Sequence, residues 1–330
     1  MDSGGTKAAM ILSADALATL AASHPAPEDF GPRSERPCLA FTLVGSDAGL
    51  SDWLRGLPCP VIGIGAGPLA SACDVLLADE AGLAAIIANV AARPFAAMLL
   101  VQQLRLSEQL PMAAALTAES LAFATIQRGG EFLTWRAGAA PAPSHADEAE
   151  PPVMVEMEGS RLMLRLNRPA SFNAVNVAMR DALYEVLRVA LLDPAITTIH
   201  LSGAGRCFSV GGDVAEFGLS HDVAEAHWVR TLRLPATLLA QLAPRVMAHV
   251  RGAVVGAGVE MAAFAGRVEA RADSWFQLPE LKYGLLPGAG GTVSLPRRIG
   301  RQKTAYMALS MRRISASLAL KWGLVDAIVP

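Results

Sequence analysis

Two glutamates sit in settings that suit acid–base chemistry. Glu260 opens a helical stretch directly after Gly256-Ala257-Gly258. Glu280 follows Pro279, shortly before a second glycine-rich run, Gly288-Ala289-Gly290-Gly291. Glycine lets a backbone turn tightly and approach a ligand, and the start of a helix presents unpaired N–H groups with a partial positive charge. Amides of that kind stabilise a developing oxyanion, and a neighbouring carboxyl moves protons. A third glycine turn, FSVGGD over 208–213, closes a strand-like segment, which is where ligands of open α/β sheets bind. Taken singly, each glutamate reads equally well as a solvated helix charge or as the partner of a helix N-terminus.

The elements that must hold these residues alternate between strand and helix. A hairpin is expected at 153–166, around Gly159-Ser160, and an amphipathic helix at 176–191 with Met179, Leu183, Val186, Leu187 and Ala190 on one face. A strand over 197–203 runs into the FSVGGD turn, and a helical pattern covers 221–242. Helices follow at 301–310 and 315–322, the last with Ser315 as N-cap and Gly323 as its stop. This alternation predicts an α/β fold. Upstream, residues 1–37 read as loosely ordered apart from a short helix. Strands are expected at 38–45 and 60–65, and helices from about 80 to 106 (broken before Pro94) and from 112 to 128. The Pro/Ala-rich acidic segment 139–152 reads as a linker between domains.

Composition removes several function classes. With 330 residues and a formal net charge of −2, the chain gives no electrostatic footprint for nucleic acid. Cys38, Cys59, Cys73 and Cys207 lack metal-ligand spacing, so neither a metal site nor a disulfide framework is expected. His200, His221, His227 and His249 form no triad pattern and are assigned structural or solvent roles. Met154, Met157 and Met163 read as strand packing. The run GIGAGP (63–68) follows a strand, but Pro68 occupies the last glycine's place, so a tight loop is expected and not a dinucleotide site. The apolar stretches 8–22 and 82–101 are interrupted by Asp15 and by Arg93-Pro94, which argues against a signal peptide and a membrane span and for a soluble, cytoplasmic protein.

In order along the chain, FSVGGD, GAVVGAGVE, QLPE and GLLPGAGG together resemble the crotonase (enoyl-CoA hydratase/isomerase) superfamily. LNRPASFNAVN near the start of 153–330 and ISASLALKWGLVDAIVP at its end extend the likeness. The resemblance implies a ClpP/crotonase-like spiral core of ββα units and an oxyanion hole made by the backbone amides of Gly212 and Ala257. Ala257 stands where the family commonly has glycine. It implies that Glu260 helps activate a water and that Glu280 delivers a proton to Cα of a trans-2-enoyl-CoA. The substrate would be carried as a coenzyme A thioester with no separate cofactor, held by backbone around Ala170, Ser171, Phe172 and Val210. A lysine frequent in the family after the GxD turn is Ala215 here, and Arg168, Arg297 and Arg298 are candidate substitutes. Having both acids favours a hydratase. An isomerase on the same scaffold, and a catalytically idle CoA-binding or scaffold homologue, are the alternatives, with hydrolysis disfavoured because PGAGG lacks an acid after the proline. The resemblance also implies a homo-trimer or a dimer of trimers.

The likeness stops at Pro330, short of the family's C-terminal helical tail. Residues 74–138 resemble that tail, and 38–73 resemble, more faintly, an eroded core segment without its glutamates. The expectation is therefore that 38–138 is a degenerate crotonase-like copy whose mostly helical tail docks on the catalytic core at 153–330. An unrelated small α/β domain is the alternative.

Overall fold

Apolar and polar residues alternate along 161–166 (RLMLRL), and in the computed structural model this alternation forms the two faces of a sheet. Residues 11–139, 150–219 and 222–330 are described. The second half begins with β4 (Val153–Glu158) and β5 (Arg161–Leu166), paired antiparallel as a hairpin. Then come α7 (Val177–Leu192), β6 (Thr198–Gly203), α8 (Val223–Arg233), α9 (Pro235–Leu242), β7 (Val246–Val250), β8 (Ala253–Val255) and α10 (Ala257–Ala262). The chain continues through β9 (Arg267–Arg271), β10 (Trp275–Gln277), α11 (Gly291–Ile299) and α12 (Arg301–Ser310), and closes with β11 (Ile314–Ser315), α13 (Ala316–Trp322) and β12 (Ala327–Val329). The main sheet has the order β12-β9-β7-β6-β5-β4 and is parallel apart from the hairpin, and a small sheet β11-β10-β8 stands beside it. This is the α/β core expected.

One face of the main sheet buries Leu162, Leu164, Ile199, Leu201, Ala248 and Val268 against Leu183, Leu187 and Leu239 of the helices. On the opposite face His200 and His249 stack, with Nδ1 of the first 2.9 Å from Nε2 of the second. Helix α7 is capped by Asn176, and its buried residues are Met179, Leu183, Leu187 and Ala190. The single helix expected over 221–242 is two, because Pro235 has no N–H and starts a new helix. His221 lies outside the described residues, as do 140–149 of the expected linker.

The first half holds α1 (Ala14–Ala22), β1 (Leu39–Thr42), α2 (Ser51–Gly56), β2 (Val61–Ile64) and β3 (Val75–Leu77). Its three strands are parallel in the order β1-β2-β3. The loose order expected for 1–37 does not describe residues 11–37. Leu12 exchanges backbone hydrogen bonds with Ala40 and Thr42, and Leu17 and Phe30 are buried in a small core with Phe41 and Leu54. Helices α3 (Leu83–Ala92), α4 (Pro94–Gln109), α5 (Met112–Ile126) and α6 (Gly130–Gly138) then leave this sheet and lie on the second half. Helices α3 and α4 meet at a bend of 109° before Pro94, and among the described residues no single helix is long and apolar enough to cross a membrane.

The packing between halves is direct. Helix α4 touches α11 and α12, α5 touches α8, α9 and α11, and α6 covers the Glu280–Tyr283 turn. Asp74, at the entry to β3, is fully buried and binds both Arg105 of α4 and Arg301 of α12, the latter at 2.8 Å. Arg301 also reaches Glu108 at 2.8 Å. A buried carboxylate between two guanidinium groups is tolerable only while both partners remain. We expect Asp74→Asn to cost about 3 kcal/mol, the lower end for breaking a buried pair. Urea unfolding measures this, and an unchanged midpoint would remove Asp74 as the clamp.

Candidate active site

Strand β8 ends at Gly256, whose φ of 50° with ψ of −125° is closed to residues with a side chain. Helix α10 starts at the next residue, which turns the Ala257 amide away from any helical acceptor and puts Glu260 in the first turn. The FSVGGD turn packs against this corner backbone to backbone, so that a Cβ on Gly211 would stand 2.9 Å from the Val255 carbonyl oxygen. Ser209 fixes the turn by donating to the Asn173 carbonyl at 2.7 Å and accepting from the Gly211 amide at 3.1 Å. Among the described residues, the amides of Gly212 and Ala257 donate to no backbone carbonyl. Both line a cleft of about 400 Å³ together with Glu260 and Glu280.

The carboxyls are deep in that cleft. Glu260 is 2 % exposed, and its Oε2 accepts from the amides of Ala289 (2.6 Å) and Gly291 (2.8 Å). The turn fits closely: a Cβ on Gly291 would lie 2.5 Å from Glu260 Cγ. Glu280 leaves Oε2 buried with no hydrogen-bond partner. Burial pushes both carboxyls up. Glu260 rises well above the ordinary range, with the charges of Glu280 and Glu119 adding to the effect of burial and the two amides opposing it. Glu280 is pushed up to about 8 by burial, which its own main-chain amide opposes, with Glu119 adding. Like charges held this close do not all ionise, so the two titrate as a coupled pair.

The third carboxyl was not singled out in the sequence. Glu119, from α5 in the first half, is fully buried; its Oε1 accepts from the Gly290 amide (2.7 Å), and its Oε2 from the Thr292 amide (2.9 Å) and hydroxyl (2.8 Å). Arg230 of α8 stands 3.8 Å away, donates to Ser120 Oγ and to the Gly288 carbonyl, and lies over the Phe123 ring. His227 also bonds Ser120, at 2.9 Å, which gives this histidine a role between the two halves. The sequence does carry one trace of Glu119: it is an acid within the buried stripe Leu116, Phe123, Ile126 of its helix.

None of Ala170, Ser171, Phe172 and Val210 lines the cleft; Val175, Asn176 and Val177, a few residues further on, do. Asn173 Nδ2 donates to the carbonyls of Ala204, Cys207 and Phe208, tying LNRPASFNAVN to the FSVGGD turn. Phe172 accepts from the Val210 amide at 3.1 Å, and the Arg206 guanidinium sits 4.4 Å over its ring. Ser171 is buried and Ala170 is exposed beside it. The three candidate arginines are engaged elsewhere. Arg168 is buried against Asp213 and the Ala174 carbonyl, Arg297 binds Ser107 and the Leu110 carbonyl, and Arg298 binds Asp326 and the carbonyls of Leu324 and Ala265. None of the three lines the cleft. All four cysteines are free and buried.

Residues 156–330 match the family model described as enoyl-CoA hydratase/isomerase. The chain is 36 % identical over 178 residues to the 2,3-dehydroadipyl-CoA hydratase of Escherichia coli K12, a match covering 54 % of this chain and 69 % of that protein. It is 34 % identical over 174 residues to the mitochondrial enoyl-CoA hydratase of Pongo abelii, covering 51 % of this chain and 57 % of the relative. Among solved structures, an enoyl-CoA hydratase/isomerase from Mycobacterium paratuberculosis superimposes with a TM-score of 0.50 at 29 % identity, covering 55 % of this chain and 74 % of the other. The chain therefore belongs to the enoyl-CoA hydratase/isomerase family and has the crotonase fold. The family model stops short of residues 11–139, which supply Glu119.

The raised carboxyl pKa has a consequence for stability. Glu280 has a folded pKa of about 8 against an ordinary 4.5, so between these values the folded state holds a proton that the unfolded state releases. Stability therefore falls as pH rises through that window. We expect Glu280→Gln to flatten this decline, making the variant gain on the wild type between about pH 5 and about pH 8. Urea midpoints across that range would show it, and parallel curves for the two proteins would contradict it.

Proposed function

We propose that the protein adds water across the double bond of a trans-2-enoyl-CoA. The observation that carries this reading is the convergence, on one cleft, of two buried carboxyls with raised pKa and two uncommitted amides. The thioester carbonyl accepts from the amides of Gly212 and Ala257, which stabilise the enolate charge; removing such a donor typically costs about 10²–10³ in rate. Because the donor at Ala257 is a main-chain N–H, the methyl group there is compatible with the role. The water oxygen bonds to Cβ as Glu260 takes its proton, and Glu280 gives a proton to Cα, so that H and OH are added and the carboxyls have exchanged one proton. Burial raises both carboxyls, and the pair does not ionise together; Glu260, whose Oε2 accepts from two amides, is assigned as the member that ionises, and Glu280 as the one that still holds a proton near neutrality. Backbone around Ala170, Ser171, Phe172 and Val210 receives the coenzyme A moiety, and the family likeness argues for a homo-trimer or a dimer of trimers.

A second reading, a one-carboxyl enoyl-CoA isomerase, is favoured by one observation: Glu260 Oε2 is committed to two amides, as an anchor would be. We also infer that 38–138 is a degenerate crotonase-like copy whose helical tail serves the second half. Supporting this, its glycine turn is closed, since a Cβ on Gly67 would lie 2.1 Å from the Leu43 carbonyl oxygen, and its parallel strands carry no buried glutamate.

Loss of enoyl-thioester absorbance with crotonyl-CoA tests the activity. For a hydratase, Glu260→Gln and Glu280→Gln should each lower kcat by about 10²–10⁴, the usual worth of a positioned acid or base. Loss confined to Glu280→Gln would select the isomerase. Residues 151–330 expressed alone should be inactive, and a soluble, fully active fragment would end the tail hypothesis.

A further inference from the structure

A fully buried, hydrogen-bonded carboxyl outside the proposed chemistry is that of Glu119, which belongs to the half that the family model leaves uncovered. Four consecutive amides, from Ala289 to Thr292, are divided between two glutamates in strict alternation. Ala289 and Gly291 donate to Glu260, and Gly290 and Thr292 donate to Glu119. The backbone that fixes Glu260 on one side is thus fixed by Glu119 on the other. The Thr292 hydroxyl and Gln103 extend the same anchor into α4.

We propose that Glu119 is a positioning residue for the reaction, supplied by the first half of the chain: its carboxylate holds the 289–292 turn in register and so sets the place of the Glu260 carboxyl. This rests on the hydratase reading. Burial raises the Glu119 pKa, and Arg230, the Thr292 hydroxyl and the Gly290 and Thr292 amides oppose it. The carboxyl is assigned as ionised because both of its oxygens accept from main-chain N–H groups and the Thr292 hydroxyl donates as well, leaving no acceptor for a carboxyl proton among these partners. The charged or titratable groups around it are Arg230 of α8, with Arg180 beyond it, His227 of α8 on the neighbouring Ser120, Glu260 of α10, and Glu280 with Tyr283 of the turn before α11. Arg230 offsets the Glu119 charge in part. The remainder helps to raise Glu260 and Glu280, so Glu119 acts on the pair through position and through charge.

The two actions separate in two variants. Glu119→Gln keeps the shape, removes the charge and turns an N–H donor toward one of the two amides. We expect kcat for crotonyl-CoA to fall by about 10–100-fold, as a misplaced catalytic group does. KM should stay within about twofold, since the thioester is bound elsewhere. The acid limb of the kcat–pH profile should move to lower pH, because one of the charges that raises the pair is gone. Glu119→Asp keeps the charge and shortens the reach, and should lower kcat while leaving that limb in place.

Wild-type kcat and an unmoved limb in Glu119→Gln would overturn the proposal. If Glu119→Gln does not fold, Glu119→Asp decides: lowered kcat with an unmoved limb supports the role, and unchanged kcat refutes it. Failure of the hydratase reading shows separately, as absence of turnover in the wild type. In that event infrared titration of the carboxyls of the full chain still reads the link. The pair should titrate at lower pH in Glu119→Gln, and titration at the wild-type pH would count against it.

Discussion

Three carboxyl groups, those of Glu119, Glu260 and Glu280, lie close enough for each charge to be felt by another, and the supply of hydrogen-bond donors sets what they can be. A buried carboxylate without donors neutralises or destabilises the fold. The donors here are main-chain amides from the turn at 289–292, which enters α11 and has no helical acceptors of its own. Alternation along the turn gives two amides to each of two glutamates and none to the third. Glu280, left outside this arrangement, has an unpartnered Oε2 and a pKa of about 8. Donor accounting therefore decides position: the carboxyls that the turn supplies with amides are held in place, although burial raises Glu260 as well as Glu280. A fully satisfied Glu280 would be a poor acid at neutral pH.

The two halves also pack closely on either side of this turn. Gly288 leaves space that Phe123 of α5 fills, and a Cβ there would stand 2.1 Å from its ring. Gly284 meets the Glu131–Phe132 backbone of α6 in the same way, and Glu131 in turn receives the amides of Phe95 and Ala96 at the start of α4. Contacts of this closeness leave no room for a water layer. The Asp74–Arg105–Arg301 cluster lies at the other end of α4 and adds a charged clamp to the apolar one.

What the sequence made legible followed its local rules. Glycine flanking Glu260 and Glu280 marked both, because tight turns and close backbone approach leave a compositional trace at the residue itself. The strands and helices of 153–330 were legible from periodicity and caps, as with Asn176 and Ser315. Glu119 had no such trace, since its partners are 171 and 173 positions away and an acid in a helix ordinarily reads as a surface charge. Arg168 misled for a related reason. A cation near a phosphate-bearing ligand and a cation buried against Asp213 look identical until the fold brings Asp213 to it. Residues 11–37 read as loose because their partners, Ala40 and Thr42, pair with a single residue, Leu12, too short a strand to show alternation.

Where helices α3–α6 stand in the chain matters less than what they deliver. Loop-closure entropy grows slowly, each doubling of a connection costing only about 0.6 kcal/mol, so a segment that docks from the N-terminal side loses little relative to one docking from the other end. What cannot be moved is the register of α5 against the turn. A shift of one residue along that helix turns Glu119 by about 100° off the amides it serves and brings Glu119's neighbours, Ala118 or Ser120, to the site. Neither side chain offers a carboxylate to the two N–H groups, which would then be buried and unpaired, a cost of about 1–3 kcal/mol each. The 289–292 turn thereby selects the register of a helix that is distant in sequence, and that selection ties the first half of this chain to the Glu260 corner of the second.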